Sequence, residues 1–293
     1  IGGFALLVAT SEALYAVRDP KGNRPLVLGK LKETNDYVFS SETCALNVIG
    51  AQSVREVEPG ELIEITINSQ YFSTFYVGEQ THKTCIFEYI YFSRPDSVVN
   101  RLSLYDYRQG LGRSLSNLDF LLPSDNLIVM GVPDSGTPAA IGYSNQSGFP
   151  YVKGLVKNKY INRTFIEPSQ EMRDKKAILK YNLIPGSVKD KRVVLIDDSI
   201  VRGTTMTQLI KYLRKEGALE VHLRISSPPI RWECLYGIDT SNKELIAKDR
   251  TCEEIRQLLG ADSLIYLSQA DITKDIGYVD HFCMACFNGD YNI

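Results

Sequence analysis

Two hydrophobic rhythms divide the chain. In the first part the apolar residues come in short bursts, and Phe4–Val8, Leu14–Val17, Tyr37–Ser40 and Leu62–Ile67 read as strands. Turn formers separate them, in the stretch Asp19–Pro25 and at Pro59-Gly60, where the backbone has to reverse. Ser41–Gly50 is the helical candidate in this all-β stretch. The polar segment Gly78–Thr84 breaks the pattern, so a boundary is expected there, dividing residues 1–78 from 79–293.

From about residue 85 the rhythm changes. Apolar runs of strand length (Asn126–Val132, Val193–Ile196, Val221–Ile225, Leu264–Leu267) alternate with helical stretches at Pro138–Gln146, Thr204–Glu216 and Cys252–Leu259. Strands that alternate with helices predict a parallel sheet covered on both faces. The helix after residue 203 is the clearest: Met206, Leu209, Ile210 and Leu213 form one apolar stripe, and Gly217 stands where it should end.

Composition narrows the choice. With 44% hydrophobic and 23% charged residues over 293 positions, disordered and fibrous classes are excluded. The net charge of -2 gives no basic field for a phosphate backbone, so no nucleic-acid partner is expected. No apolar run approaches the roughly 18 residues of a membrane span, so no membrane partner is expected either. The first residue is Ile and the opening stretch lacks the marks of a signal peptide, so a fragment of a longer cytoplasmic protein is expected. Six cysteines are too sparse for a disulfide scaffold. Of these only Cys283 and Cys286 form a C-x-x-C pair, which favours a reducing compartment and a metal or redox role for some of them.

The most informative segment is Val193–Met206, VVLIDDSIVRGTTM. A buried strand ends in Asp197 and Asp198, and a short loop carries Ser199, Arg202, Gly203, Thr204 and Thr205 into the helix. The strand sets the loop at the carboxyl edge of the sheet, where open α/β folds bind ligands. Gly203 allows close approach of backbone to a ligand. The helix N–H groups can hold a phosphate with help from the threonine hydroxyls. Two carboxylates beside a phosphate suit ribose hydroxyls or a magnesium ion. The loop is neither a Walker A motif nor a dinucleotide fingerprint.

This string resembles the phosphoribosyl pyrophosphate (PRPP) motif of type I phosphoribosyltransferases. Four further segments, Phe87–Ser97, Gly131–Ser144, Lys157–Arg173 and Ser227–Ser241, are similar to the amidophosphoribosyltransferase family, and the likeness runs over essentially the whole chain. It implies an α/β type I phosphoribosyltransferase domain over residues 79–293, ending in a cysteine-bearing segment. Before it, residues 1–78 would be the later part of a β-rich Ntn-hydrolase (class II glutaminase) domain, to which Arg18–Lys30 and Ser40–Leu46 are similar. The implied activity is the first committed step of purine biosynthesis, in which PRPP, glutamine and water give 5-phosphoribosylamine, glutamate and pyrophosphate.

The resemblance assigns roles residue by residue. The 5-phosphate falls to the loop around Ser199 and Arg202–Thr205, and ribose and magnesium to Asp197 and Asp198. Val132–Thr137 matches the pyrophosphate loop, with Ser135 as a further magnesium residue. Lys157–Pro168 matches the lid, in which Lys157, Lys159, Tyr160 and Arg163 would meet PRPP. Cys85, Cys234, Cys283 and Cys286 match the 4Fe–4S ligands of one branch of the family, although from chemistry alone four thiolates suit a structural zinc as well. Cys44 and Cys252 match no ligand position. The family's glutaminase nucleophile is an N-terminal cysteine, so this polypeptide is expected to use only free ammonia. Purine nucleotides as feedback inhibitors and a homodimer or homotetramer are also implied. The competing readings are a PRPP-sensing regulator, a nucleobase salvage transferase and an electron-transfer module.

Overall fold

The later half is organised by strands with buried apolar runs, above all Leu127–Met130 and Val193–Ile196, because a parallel strand buried on both faces has no solvent side to mark. The computed structural model describes residues 2–78, 82–158, 180–240, 245–277 and 279–291. The β-rich part holds β1 (Ala5–Ala9), β2 (Ala13–Arg18), β3 (Val27–Leu31), β4 (Tyr37–Ser40), α1 (Thr43–Val48), β5 (Ala51–Glu56), β6 (Glu61–Thr66) and β7 (Tyr71–Phe75). They form two antiparallel sheets, β1-β2-β6-β7 and β4-β3-β5. In β6 the burial alternates strictly, with Glu61, Ile63 and Ile65 inward.

β8 (Thr84–Cys85), a π-helical turn at Glu88–Phe92, the ribbon β9 (Val98–Val99) and β10 (Leu102–Ser103), and α2 (Leu104–Asn117) lead into the α/β part. There follow β11 (Leu127–Gly131), α3 (Thr137–Ser147), β12 (Leu155–Lys157), β13 (Tyr181–Leu183), β14 (Arg192–Asp197), α4 (Thr204–Lys215), β15 (Glu220–Ile225), α5 (Cys252–Leu259), β16 (Ser263–Tyr266) and α6 (Gln269–Thr273). β17 (Phe282–Cys283) and α7 (Ala285–Asn288) close the described chain. β11-β14-β15-β16 is a parallel sheet in that order, with Gly131 opposite Ile196 and Asp197 opposite Ile225. Its residues feed two cores by turns: Leu127, Val129, Val194 and Ile196 go to one, and Ile128, Met130, Val193 and Leu195 to the other. The expected stripe of α4 is buried throughout.

One expectation needs correction. An incomplete Ntn-hydrolase domain standing apart from the transferase was expected over residues 1–78, but the β-rich residues are not a separate body. Arg24 pairs with Glu88 at 3.0 Å and donates to the Tyr236 carbonyl, while the Asn23 amide donates to the Lys83 carbonyl. Glu42 accepts from the Arg94 N–H and the Ser97 hydroxyl, and Glu56 accepts from the Asn100 N–H. These links tie the β-rich sheets to the residues that follow them. The alternating pattern of residues 1–78 reports antiparallel strands and says nothing about independence.

A buried polar chain runs through the sheet. Arg224 is fully buried, and it donates to both carboxylate oxygens of Asp119, to which the Tyr143 hydroxyl also donates. Burial alone would raise Asp119, but these partners hold it below the ordinary carboxylate value. Arg224 also donates to Ser263 Oγ, which leaves the serine proton for His222 Nδ1 at 2.9 Å, so His222 Nε2–H donates to Glu220 at 2.8 Å. Glu220 is in turn paired with Arg192.

Burial is the main reason His222 sits below its ordinary value, with Arg224 adding to it and Glu220 and Asp262 opposing. A histidine that binds protons less readily when folded favours unfolding as the pH falls. Stability is therefore expected in full above the ordinary histidine value near 6.5 and to decline as the pH drops through the folded value. Urea melts between pH 5 and 8 should show this slope, and His222→Gln should flatten it. Asp119→Asn leaves Arg224 without its counter-charge and should cost about 3–5 kcal/mol in the same melts.

Candidate phosphoribosyl site

β14 delivers Asp197 to the carboxyl edge of the sheet, and the chain turns at once. The Asp198 N–H donates to Asp197 Oδ1 at 2.9 Å, and the Ser199 hydroxyl donates to Asp198 Oδ2 at 2.6 Å, so the three side chains are set by one another. Asp198 is buried, and the Arg108 guanidinium acts on it from α2. Burial first, and then the Asp198 carboxylate, hold Asp197 well above the ordinary carboxylate value, with Lys180 opposing. An acid pair with unrelieved like charge is the donor set that a hard cation suits.

Gly203 ends the loop at φ +79°, a left-handed conformation that suits glycine, and a Cβ there would lie 2.5 Å from Ile246 Cδ1. Its space is filled by apolar side chains beneath the loop, so this glycine serves the turn and its packing. α4 starts without a side-chain cap, and its first hydrogen bond is Thr207 N–H to the Gly203 carbonyl. The N–H groups of Thr204, Thr205 and Met206 are therefore free of helical partners and form an anion-binding end. Arg202 and Thr205 are exposed there, and Thr204 is half-buried.

The neighbouring strand ends in a second loop. Val132 N–H bonds the Ile196 carbonyl, and a Cβ on Gly136 would lie 2.4 Å from that same oxygen, so the Val132–Gly136 turn rests on the end of β14. α3 also begins at a glycine with no side-chain cap. Ser135 lies half-buried in this loop. Lys157, at the end of β12, puts Nζ 3.1 Å from Asp134 Oδ2, an exposed pair that joins the ribbon β12–β13 to the loop. Lys159, Tyr160 and Arg163 lie outside the described residues. Sequence reasoning passed over Arg108, Lys180 and Tyr181. The arginine sits on the buried face of α2, and the other two follow the lid residues with no motif of their own.

The four expected cluster cysteines converge. Cys85 and Cys283 are register partners across the parallel pair β8–β17, and Cys234 Sγ accepts the Tyr236 N–H. Burial, followed by Cys85, Cys283 and Cys234, pushes the Cys286 thiol well up. Burial also pushes Cys85 up to about 12. Among the described residues, however, no group of three or more His, Cys, Asp or Glu side chains is disposed to hold a metal ion, so the iron–sulfur expectation gains no metal-binding cluster. Cys44 is buried and Cys252 is exposed on α5. Among the described residues no helix is long and apolar enough to cross a membrane.

Residues 103–226 match the phosphoribosyl transferase domain. Amidophosphoribosyltransferase of Synechocystis sp. is 51% identical over 295 residues, covering 100% of this chain and 59% of the relative. The Bacillus subtilis enzyme is 46% identical over 99% of this chain and 61% of its own. This chain is similar over its whole length to amidophosphoribosyltransferases. It spans about 59% of the length of the Synechocystis relative.

Among solved structures, glutamine PRPP amidotransferase from B. subtilis, complexed with ADP and GMP, superposes with TM-score 0.90 at 44% identity over 99% of this chain and 64% of that one. The allosteric regulatory enzyme of purine biosynthesis superposes with TM-score 0.89 at 44% identity, over 99% and 62%. The structural match to the α/β phosphoribosyltransferase fold thus continues through the β-rich residues, which overturns the separate Ntn-hydrolase unit expected over 1–78. Nothing in these matches singles out an iron–sulfur branch.

Because Asp197 binds its proton more readily when folded than when unfolded, its charge lowers stability as the pH rises from the ordinary carboxylate value toward the folded one. Asp197→Asn is therefore expected to melt at a higher temperature than the wild type at pH 7 in the absence of divalent cations. Scanning calorimetry checks this, and a lower melting temperature would contradict it.

Proposed function

We propose that this chain transfers the phosphoribosyl group of PRPP to ammonia. The reading rests on two uncapped helix starts, at Thr137 and Thr204, on adjacent parallel strands with Asp197 and Asp198 between them. PRPP carries a phosphate at one end of a ribose and a pyrophosphate at the other. The loop Ser199–Thr205 takes the 5-phosphate on the α4 N–H groups, and Val132–Thr137 takes the pyrophosphate. In the reaction the ammonia lone pair forms the N–C1 bond as the C1–O bond to pyrophosphate breaks. The bonding pair leaves with the pyrophosphate and the nitrogen sheds a proton to water, giving 5-phosphoribosylamine.

The protein's work is positioning and charge stabilisation. Asp197, Asp198 and Ser135 fit a magnesium ion, which when bound would neutralise pyrophosphate oxygens. Lys157 stands at the ribbon that leads into the segment with Lys159, Tyr160 and Arg163, the candidates for excluding water from C1. In the longer relatives' setting the ammonia would come from glutamine, making this the transferase portion of the committed step of purine synthesis. The ADP and GMP held by the B. subtilis enzyme support purine nucleotides as inhibitors here.

The four cysteines extend the proposal. Cys85, Cys234, Cys283 and Cys286 suit an iron–sulfur cluster that would tie the last strand to β8 as a structural clasp. Their donor chemistry and mutual approach support it. Iron and acid-labile sulfide should both be present in anaerobically purified protein and fall in Cys286→Ser, whereas zinc in their place would refute the cluster.

Calorimetry with magnesium and PRPP should show binding, and ammonia should release pyrophosphate in proportion to enzyme. Asp198→Asn should lower that rate by about 100-fold. Protein that binds no PRPP would overturn the reading.

A further inference from the structure

The ribbon β12–β13 brings a second residue to the site besides Lys157. Tyr181, the first residue of β13, stands opposite Lys157 in the register, and Lys157 reaches Asp134 in the Val132–Gly136 loop. Tyr181 is only 6% exposed, and its ring shares an apolar cluster with Val132 and Ile200, one from each ligand loop. The Lys180 ammonium stands 5.1 Å from the ring centroid and also acts on Asp197. Among the described residues the Tyr181 hydroxyl makes no hydrogen bond, and unlike the Tyr266 hydroxyl it is not a fully buried atom without a partner, so its proton is open to a ligand.

We infer that Tyr181 is a substrate-binding residue whose phenol donates a hydrogen bond to a sugar oxygen of the phosphoribosyl ligand held by Asp197 and Asp198. This rests on the PRPP reading of the site and adds a residue to it. Burial first, and then Asp197, Asp198, Tyr91 and Asp134, raise the phenol above its ordinary value, so it enters the site as a protonated group able to donate. Ionised carboxylates only accept, whereas the phenol can offer a proton to a ribose or ring oxygen. The ribbon thereby delivers one cation to the pyrophosphate side and one neutral donor to the sugar side from a single rung.

Tyr181→Phe removes the oxygen and leaves the ring to pack. Isothermal titration should show PRPP and ribose 5-phosphate, each with magnesium, binding about tenfold more weakly to the variant. Inorganic pyrophosphate should bind unchanged, and the melting temperature should not fall. Equal PRPP affinity in the two proteins would overturn the inference while leaving the PRPP reading intact. An equal loss for pyrophosphate would overturn the assignment to the sugar. Wild-type protein that binds no PRPP would remove the reading and this inference together.

Discussion

Two carboxylates at the end of a fully buried strand are the constraint on which the rest depends. β14 is apolar and buried from Val193 to Ile196, so Asp197 and Asp198 emerge where a low-dielectric sheet meets its open edge. Like charges there cannot relax into water, and burial adds to the repulsion. The surroundings answer in part. Arg108 acts on Asp198 from α2, Lys180 acts on Asp197, and Ser199 donates to Asp198. The same edge carries two helix starts without a side-chain cap: α4 keeps open N–H groups, whereas at α3 the Thr137 N–H bonds the Asp134 carbonyl and Pro138 carries none. Excess negative charge and open donors thus lie side by side, which is the pattern a ligand with phosphates and a bridging cation would satisfy.

The rest of the molecule holds that edge still. Arg108 is buried, and it donates to the Tyr89 and Ser93 carbonyls, so the guanidinium that faces Asp198 also ties down the π-helical turn Glu88–Phe92. A π-helical turn leaves backbone groups out of the usual ladder, and the arginine supplies their partner. On the same face of the sheet as α2, Arg224, Asp119, Ser263 and His222 form a chain of bonds in which each member fixes the next. A buried ion pair adds little stability over an apolar core, but breaking it is expensive. Its effect here is to set the spacing of β15, β16 and the segment after α2. Arg24, Glu42 and Glu56 do similar work between the β-rich sheets and the α/β part.

Much of the α/β part was legible because periodicity and local chemistry agreed. Thr251 and Glu254 cap α5 reciprocally, and the expected span Cys252–Leu259 is the observed one. The loop after β14 was legible through its dense mix of acids, hydroxyls and glycine. α2 was not. Its buried face runs Leu104, Tyr107, Arg108, Leu111, Leu115, and a charged residue in the middle of the stripe, with Gly110 and Gly112 nearby, hides the helical period. Gly203 was legible as a special position but not in its reason, since the side chains that fill its space come from Ile246 and Leu259, more than forty positions away. Independence of residues 1–78 could not be read from alternation, because the links that deny it join residues distant in the chain. Tyr181 lacked any signal, because its place at the site exists only once β13 pairs with β12.

The arrangement links stability to occupancy. An acid pair that raises its own proton affinity opposes the folded state whenever both members are charged, so the empty site is held at a cost set by the rest of the fold. Any group that neutralises the pair binds the folded chain and not the unfolded one, and it returns that cost as binding free energy. The effect grows with burial, since a cation screened by water would relieve little. It follows that the apolar run of β14, which looks purely structural, is part of the binding device: a more solvated strand end would give a more stable empty protein and a weaker grip on whatever the acids hold. The buried Arg108 acts on Asp198 and Lys180 on Asp197, so the pair is softened without being neutralised.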